Sequence, residues 1–137
     1  MIPCSGVVVF DNSCDEIRTV LVQTHRGNYS YPKGKRHKEE TYFETAMREL
    51  EEETGIKSDD ITILEDFYID ELSNKRNPNV RYFVGYIDGS NHNFSFDDEE
   101  LESVKWVTSD ELLKLEKLKE SRKEVFRKAL EIYQNKI

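Results

Sequence analysis

The chain has 137 residues, a length that fits one compact domain, and we expect a single domain over residues 1–137. Lys and Arg number 20 against 28 Asp and Glu, and the net charge of −8 argues against broad, non-specific binding of nucleic acid. No apolar run reaches the roughly eighteen residues that span a bilayer, so we expect no membrane partner. The two cysteines, Cys4 and Cys14, are too few for a disulfide scaffold, and we expect a reduced, cytoplasmic protein.

The first half of the chain predicts two strands, a loop and a helix. The strands cover residues 7–10 and 20–23, and the polar residues 25–40 are expected to form a loop. Thr41 and Glu44 have the spacing of a capping box, which predicts that a helix begins after Thr41. Gly55 is placed to end that helix.

The second half predicts three more strands and two more helices. The strands cover residues 61–72, 80–87 and 104–107. Thr108 and Glu111 form a second capping box before a short helix, and a last helix over residues 121–134 carries an apolar face. This order of elements predicts an α/β fold in which helices cover a mixed sheet.

One segment of the first helix carries a chemical pattern. From Gly34 the chain reads Gly-x5-Glu-x7-Arg-Glu-Leu-x-Glu-Glu-x-Gly-Ile, and helical spacing places Glu49, Glu52 and Glu53 on one face. Acidic runs on helices are usually solvated, but this whole pattern arises by chance less than about once in a million. Three adjacent carboxylates repel one another unless a cation neutralises them, and Mg²⁺ prefers such oxygen ligands. Arg48 can fix one carboxylate by a bidentate bond.

The segment resembles the Nudix box at every specified position. The resemblance implies an α/β/α sandwich with a mixed sheet, and hydrolysis of a nucleoside diphosphate linked to another group with Mg²⁺ or Mn²⁺. It implies that Glu52, Glu53 and the backbone carbonyl of Lys33 are metal ligands. It also implies that Glu49 is a ligand or the base that activates water, and that Arg48 orients Glu49.

A further acidic ligand is expected outside the box. Glu100 lies six residues before Trp106, and it resembles a Glu that precedes the Lys-Trp or Arg-Trp strand of diadenosine tetraphosphate hydrolases. Glu99 and Glu102 are the alternatives within the same acidic run.

Residues around the box also look like those of the diadenosine tetraphosphate hydrolases. The run Tyr31-Pro32-Lys33-Gly34 is similar to the segment that precedes their box, although residues 35–39 are basic and lack the usual Pro-Gly. Candidate contacts to substrate phosphates are Lys33, Lys35, Arg36 and Arg81, and candidate contacts to a base are Tyr82 and Tyr29.

Three functional hypotheses follow, and all take a phosphorylated ligand as partner. The first is hydrolysis of dinucleoside polyphosphates, which for diadenosine tetraphosphate releases ATP and AMP. The second is action on RNA 5′ ends or on inositol pyrophosphates, which the basic segment around Lys35 favours and the net charge of −8 opposes for long RNA. The third is a non-catalytic nucleotide sensor, which the complete box disfavours. The sequence leaves the oligomeric state open.

Overall fold

The computed structural model describes residues 2–73 and 75–136, with Asn91 described by its backbone alone. Its strands are β1 to β7 and its helices α1 to α3, with short 3-10 turns at Ser58–Asp60 and Gly89–Asn91. The strands cover Cys4–Asp11, Arg18–Gln23, Tyr29–Ser30, Lys33–Lys35, Thr62–Leu72, Pro78–Ile87 and Ser103–Thr108. The helices cover Tyr42–Thr54, Ser109–Lys114 and Glu120–Gln134.

All seven strands belong to one mixed sheet. Its main path runs β3-β2-β1-β6-β5, while β4 pairs with β1 and β7 pairs with β2. The strands β1 and β6 are parallel, and every other pairing is antiparallel. The predicted α/β class is therefore confirmed.

Helices cover both faces of the sheet, and β1 supplies side chains to both. Val8 and Phe10 point into an apolar cluster with Phe126 and Ala129 of α3. Val7 and Val9 belong to the opposite cluster, which includes Ala46 and Leu50 of α1. This alternation gives each face its own apolar core and makes the arrangement an α/β/α sandwich.

The predicted loop over residues 25–40 is wrong in part, because two short strands lie within it. Here β3 pairs with β2, and β4 pairs with the first residues of β1. The pairing of β4 sets Gly34 opposite Ser5 and therefore fixes the start of the box to the centre of the sheet. No helix in residues 2–73 or 75–136 is long and apolar enough to cross a membrane.

Candidate active site

The helix α1 begins and ends where its capping residues predict. The Thr41 hydroxyl accepts the Glu44 N–H at 3.0 Å, and the Glu44 carboxylate accepts the Thr41 N–H at 2.9 Å. Gly55 follows the helix at a φ of 79°, a left-handed conformation that glycine adopts without steric cost. These caps fix the register in which α1 presents its carboxylates.

Glu53 meets the strand β4 directly. Its Oε1 accepts the backbone N–H of Lys33 at 2.9 Å. Burial raises the pKa of Glu53 to about 7, against the lowering effect of the Lys33 N–H, and the charges of Glu49 and Glu100 raise it further. The Glu53 carboxyl is therefore a desolvated group held against the backbone of Lys33.

Glu49 lies one turn earlier and shares this environment. Burial and the neighbouring Glu52 raise the pKa of Glu49 to about 7, whereas Arg48 opposes the rise. Within residues 2–73 and 75–136, no three acidic, histidine or cysteine side chains form a ready-made metal cluster. The donor chemistry nevertheless suits a hard divalent cation, because every nearby side-chain ligand is a carboxylate and negative charge is in excess.

Arg48 connects the carboxylates to the loop before the helix. Its Nε donates to Glu40 Oε2 at 2.7 Å and its Nη2 donates to Glu40 Oε1 at 3.0 Å. Its Nη1 lies 3.2 Å from Glu52 Oε1 and 3.4 Å from Glu49 Oε1. Arg48 thus contacts Glu49, as the resemblance implies, but among the carboxylates Glu40 makes the shortest bonds to it. Glu40 was not among the site residues predicted from the sequence, although its fixed place in the motif was the available signal.

The acidic run before β7 contains the candidate ligand outside the box. The negative charge of Glu100 is one of the causes that raise the pKa of Glu53. Glu102 is engaged elsewhere, because its Oε1 lies 3.0 Å from Nδ1 of His25. Glu100 therefore stays the proposed ligand in preference to Glu102, and Glu99 stays the alternative.

The basic segment that follows Lys33 is partly built into the fold. Lys35 is exposed, and its carbonyl accepts Nη2 of Arg48 at 2.9 Å. Arg36 is half-buried, and its guanidinium lies 5.3 Å from the centre of the Tyr42 ring. Its Nη1 also donates to the carbonyl of Glu40. Arg36 therefore supports the loop as well as adding positive charge.

Arg81 is paired within the sheet. It donates to both oxygens of Asp70, at 2.9 Å and 3.0 Å. The rings of Tyr68 and Tyr42 lie against its guanidinium at 3.8 Å and 4.9 Å. Arg81 was predicted to contact a phosphate, but Asp70 already neutralises its charge.

The prediction that Tyr82 contacts a base is wrong. Its side chain is fully buried beneath α3, and its hydroxyl lies 3.4 Å from Glu71 Oε1. A ring without exposed surface cannot stack on a ligand. Tyr29, the other candidate, is half-buried, with Nζ of Lys105 at 5.4 Å from the centre of its ring.

Comparison with known proteins identifies the family. The model of the NUDIX domain matches residues 3–129. The chain belongs to the Nudix family. The fold of the C. elegans Ap4A hydrolase, solved as a binary complex, superposes with a TM-score of 0.81 at 20% identity, covering 98% of this chain and 99% of that one. Members of the family generally use divalent metal ions.

Two curated relatives are similar in sequence to this Nudix chain. A mouse asymmetrical bis(5′-nucleosyl)-tetraphosphatase is 29% identical over an alignment of 127 positions that covers 84% of this chain and 84% of that protein. Nudix hydrolase 3 of C. elegans is 30% identical over 99 residues, and the match spans 71% of this chain but only 41% of that protein. The family and these relatives support a pyrophosphohydrolase enzyme.

Proposed function

We propose that this protein hydrolyses dinucleoside polyphosphates with Mg²⁺ or Mn²⁺, and that it converts diadenosine tetraphosphate into ATP and AMP. The observation that carries the proposal is the desolvated pair Glu49 and Glu53 on the box helix, of which Glu53 accepts the backbone N–H of Lys33 and Glu49 lies beside Arg48. The similarity to the mouse tetraphosphatase over 84% of both chains supports the choice of substrate.

The carboxylates divide the work of the site between them. Glu52, Glu53, Glu100 and the carbonyl of Lys33 would hold the cation. When bound, a divalent cation neutralises phosphate charge and lowers the pKa of a coordinated water. Glu49 accepts a proton from the attacking water. The water oxygen bonds to phosphorus, and the P–O bond of the anhydride breaks so that the leaving phosphate keeps the bridging oxygen.

Arg48 is a positioning residue in this proposal. Its two bonds to Glu40 fix the guanidinium, and the guanidinium in turn fixes Glu49 and Glu52. The planar fork of an Arg makes such a bidentate arrangement geometrically specific. The carboxylates are therefore oriented before substrate arrives.

We place the contacts to the substrate on the strands β3 and β4 and on the loop that follows β4. Lys33 and Lys35 would contact phosphates, with Arg36 adding positive charge from the loop. Tyr29 would contact a base through the exposed part of its ring. Arg81 is left out of this set because Asp70 holds it.

The proposal treats residues 1–137 as one catalytic domain and places it in the cytoplasm. Support for a reducing compartment comes from Cys4 and Cys14, which are both free thiols.

A product assay with Mg²⁺ tests the proposal. Diadenosine tetraphosphate, a triphosphorylated short RNA and an inositol pyrophosphate are compared at equal concentration. The proposal predicts that the dinucleotide is cleaved fastest and that ATP and AMP form in equal amounts. If pyrophosphate is released from RNA faster than the dinucleotide is cleaved, the protein acts on RNA 5′ ends instead. If the inositol pyrophosphate is cleaved fastest, the protein acts on inositol pyrophosphates instead. Binding without any turnover would indicate a nucleotide sensor.

A further inference from the structure

A cationic pocket lies between the β2–β3 turn and the loop that leads into α3. It has a volume of about 270 Å³, and Lys33, Lys117, Lys119 and Arg122 line it. Asn28 and Ser30 add neutral hydrogen-bonding groups, and none of the carboxylates in residues 2–73 and 75–136 lines the pocket. Four cations around one small cavity are a marked local excess in a chain whose net charge is −8.

The loop that carries Lys117 and Lys119 is held in place by the buried residue between them. Leu118 is buried in the apolar core, whereas its neighbours Lys117 and Lys119 are exposed. The carbonyl of Lys117 accepts the N–H of Tyr29 at 3.0 Å, which ties the loop to β3. The lysines therefore project from a fixed backbone.

Arg122 also lines the pocket, and its side chain is held by two neighbouring residues. Its Nη1 donates to the carbonyl of Tyr29 at 2.9 Å, and its Nε lies 3.4 Å from an oxygen of the buried Glu71. Glu71 compensates the charge of Arg122. The remaining positive charge of the pocket therefore comes mainly from Lys117 and Lys119, together with Lys33, whose charge also acts on Glu53.

Lys33 connects this pocket to the catalytic carboxylates. Lys33 lines the pocket, and its backbone N–H donates to Glu53 Oε1 at 2.9 Å. One residue therefore joins the pocket to the place at which we propose cleavage. Lysines bind phosphates as charged hydrogen-bond donors, so each added phosphate gains a further contact.

We propose that the cationic pocket binds the phosphates beyond the cleaved anhydride, so that the enzyme selects small molecules with a linear chain of three or more phosphates. A nucleoside diphosphate linked to a sugar has too few phosphates to reach it. This inference rests on the proposed function, because it assumes that the anhydride is cleaved next to Glu53. What it adds is the number of phosphates that the site requires in its substrate.

Binding of inorganic polyphosphate tests this inference without turnover. Titration calorimetry in metal-free buffer compares tripolyphosphate with pyrophosphate on the wild type, on K117Q/K119Q and on K57Q/K114Q. Lys57 and Lys114 are exposed residues outside the pocket, and both double variants change the net charge equally. We expect tripolyphosphate to bind the wild type more tightly than pyrophosphate, and K117Q/K119Q to lose about tenfold or more in affinity. The control variant should change less than about twofold.

Steady-state kinetics give the second measurement. In K117Q/K119Q the KM for diadenosine tetraphosphate should rise about tenfold with kcat nearly unchanged, because neither lysine contacts the carboxylates. The rate of ADP-ribose hydrolysis, which this inference expects to be slow in the wild type, should not change in K117Q/K119Q. Equal losses in the two double variants, or equal binding of the two polyphosphates, would overturn the inference. Failure of the proposed function would appear differently, as tripolyphosphate binding by an enzyme that does not cleave the tetraphosphate.

Discussion

Gly34 leaves the space that the carboxylate of Glu49 occupies. A Cβ atom at position 34 would overlap the carboxylate of Glu49. The Glu49 carboxylate can therefore lie against the strand β4 in this position because residue 34 lacks a side chain. This contact explains in physical terms why the box begins with glycine.

Substituting Gly34→Ala should displace Glu49 and lower kcat by about 100-fold, since a misplacement of about 1 Å in a catalytic group has that effect. The conformation of Gly34 is accessible to alanine, so the fold should be retained. Steady-state kinetics on diadenosine tetraphosphate and a thermal melt check both points. Unchanged kcat in a folded variant would contradict the proposed place of Glu49.

Substituting Glu40→Gln should release Arg48 from its bidentate partner and lower kcat about tenfold. Glu39→Gln is the matched control, because Glu39 is an exposed neighbour and loses the same charge. The two variants are compared by kcat and by melting temperature. Equal activity of the two variants would show that Glu40 does not position Arg48.

Because of Asp11, the free energy of unfolding should fall as the pH is lowered in the acid range. Although its burial alone raises the pKa, bonds from Ser13, the Gly89 N–H and Arg18 lower the pKa of Asp11 to about 2. The unfolded chain therefore binds the proton more readily, and stability rises with pH. The contribution, about 2 kcal/mol, is fully present above pH 4 and disappears as the pH falls towards 2.

Asp11→Asn tests this dependence by urea unfolding between pH 2 and pH 7. The variant should lose about 2 kcal/mol at pH 7 and show a flatter dependence below pH 4. Asp15→Asn, an exposed change in the same turn, should behave as the wild type does. Parallel pH curves for the wild type and Asp11→Asn would refute the assignment.

Local patterns were sufficient to predict the box helix, whereas long-range pairing was not predictable. Thr41 and Gly55 act on residues near them in sequence, so their effect is visible in a single chain. The strand β4 exists because it pairs with β1, about thirty residues away, and three residues carry no periodicity of their own.

The error at Tyr82 has a related cause. Successive residues of a strand face opposite sides of the sheet, so Arg81 and Tyr82 cannot both face the box helix. Sequence alternation shows that the two sides differ but does not show which side carries α1 and which carries α3. The cationic pocket could not be predicted from the sequence either. Its residues Lys33 and Lys117 are far apart in the sequence and come together only in the folded protein.

Substituting Tyr82→Phe should therefore leave KM for the nucleotide within about twofold of the wild type, and the lost bond to Glu71 should cost about 1 kcal/mol of stability. Kinetics and a thermal melt measure the two effects. A large rise in KM with unchanged stability would restore a role for Tyr82 in binding.

The most direct test of the account is kcat for diadenosine tetraphosphate with Mg²⁺ in Glu53→Gln and Glu51→Gln. Glu51 lies exposed on the same helix, so its variant removes the same charge outside the site. We predict that Glu53→Gln lowers kcat by at least about 100-fold, whereas Glu51→Gln retains the wild-type value. Near-normal turnover by Glu53→Gln with an unchanged requirement for Mg²⁺ would contradict the assignment of the active site.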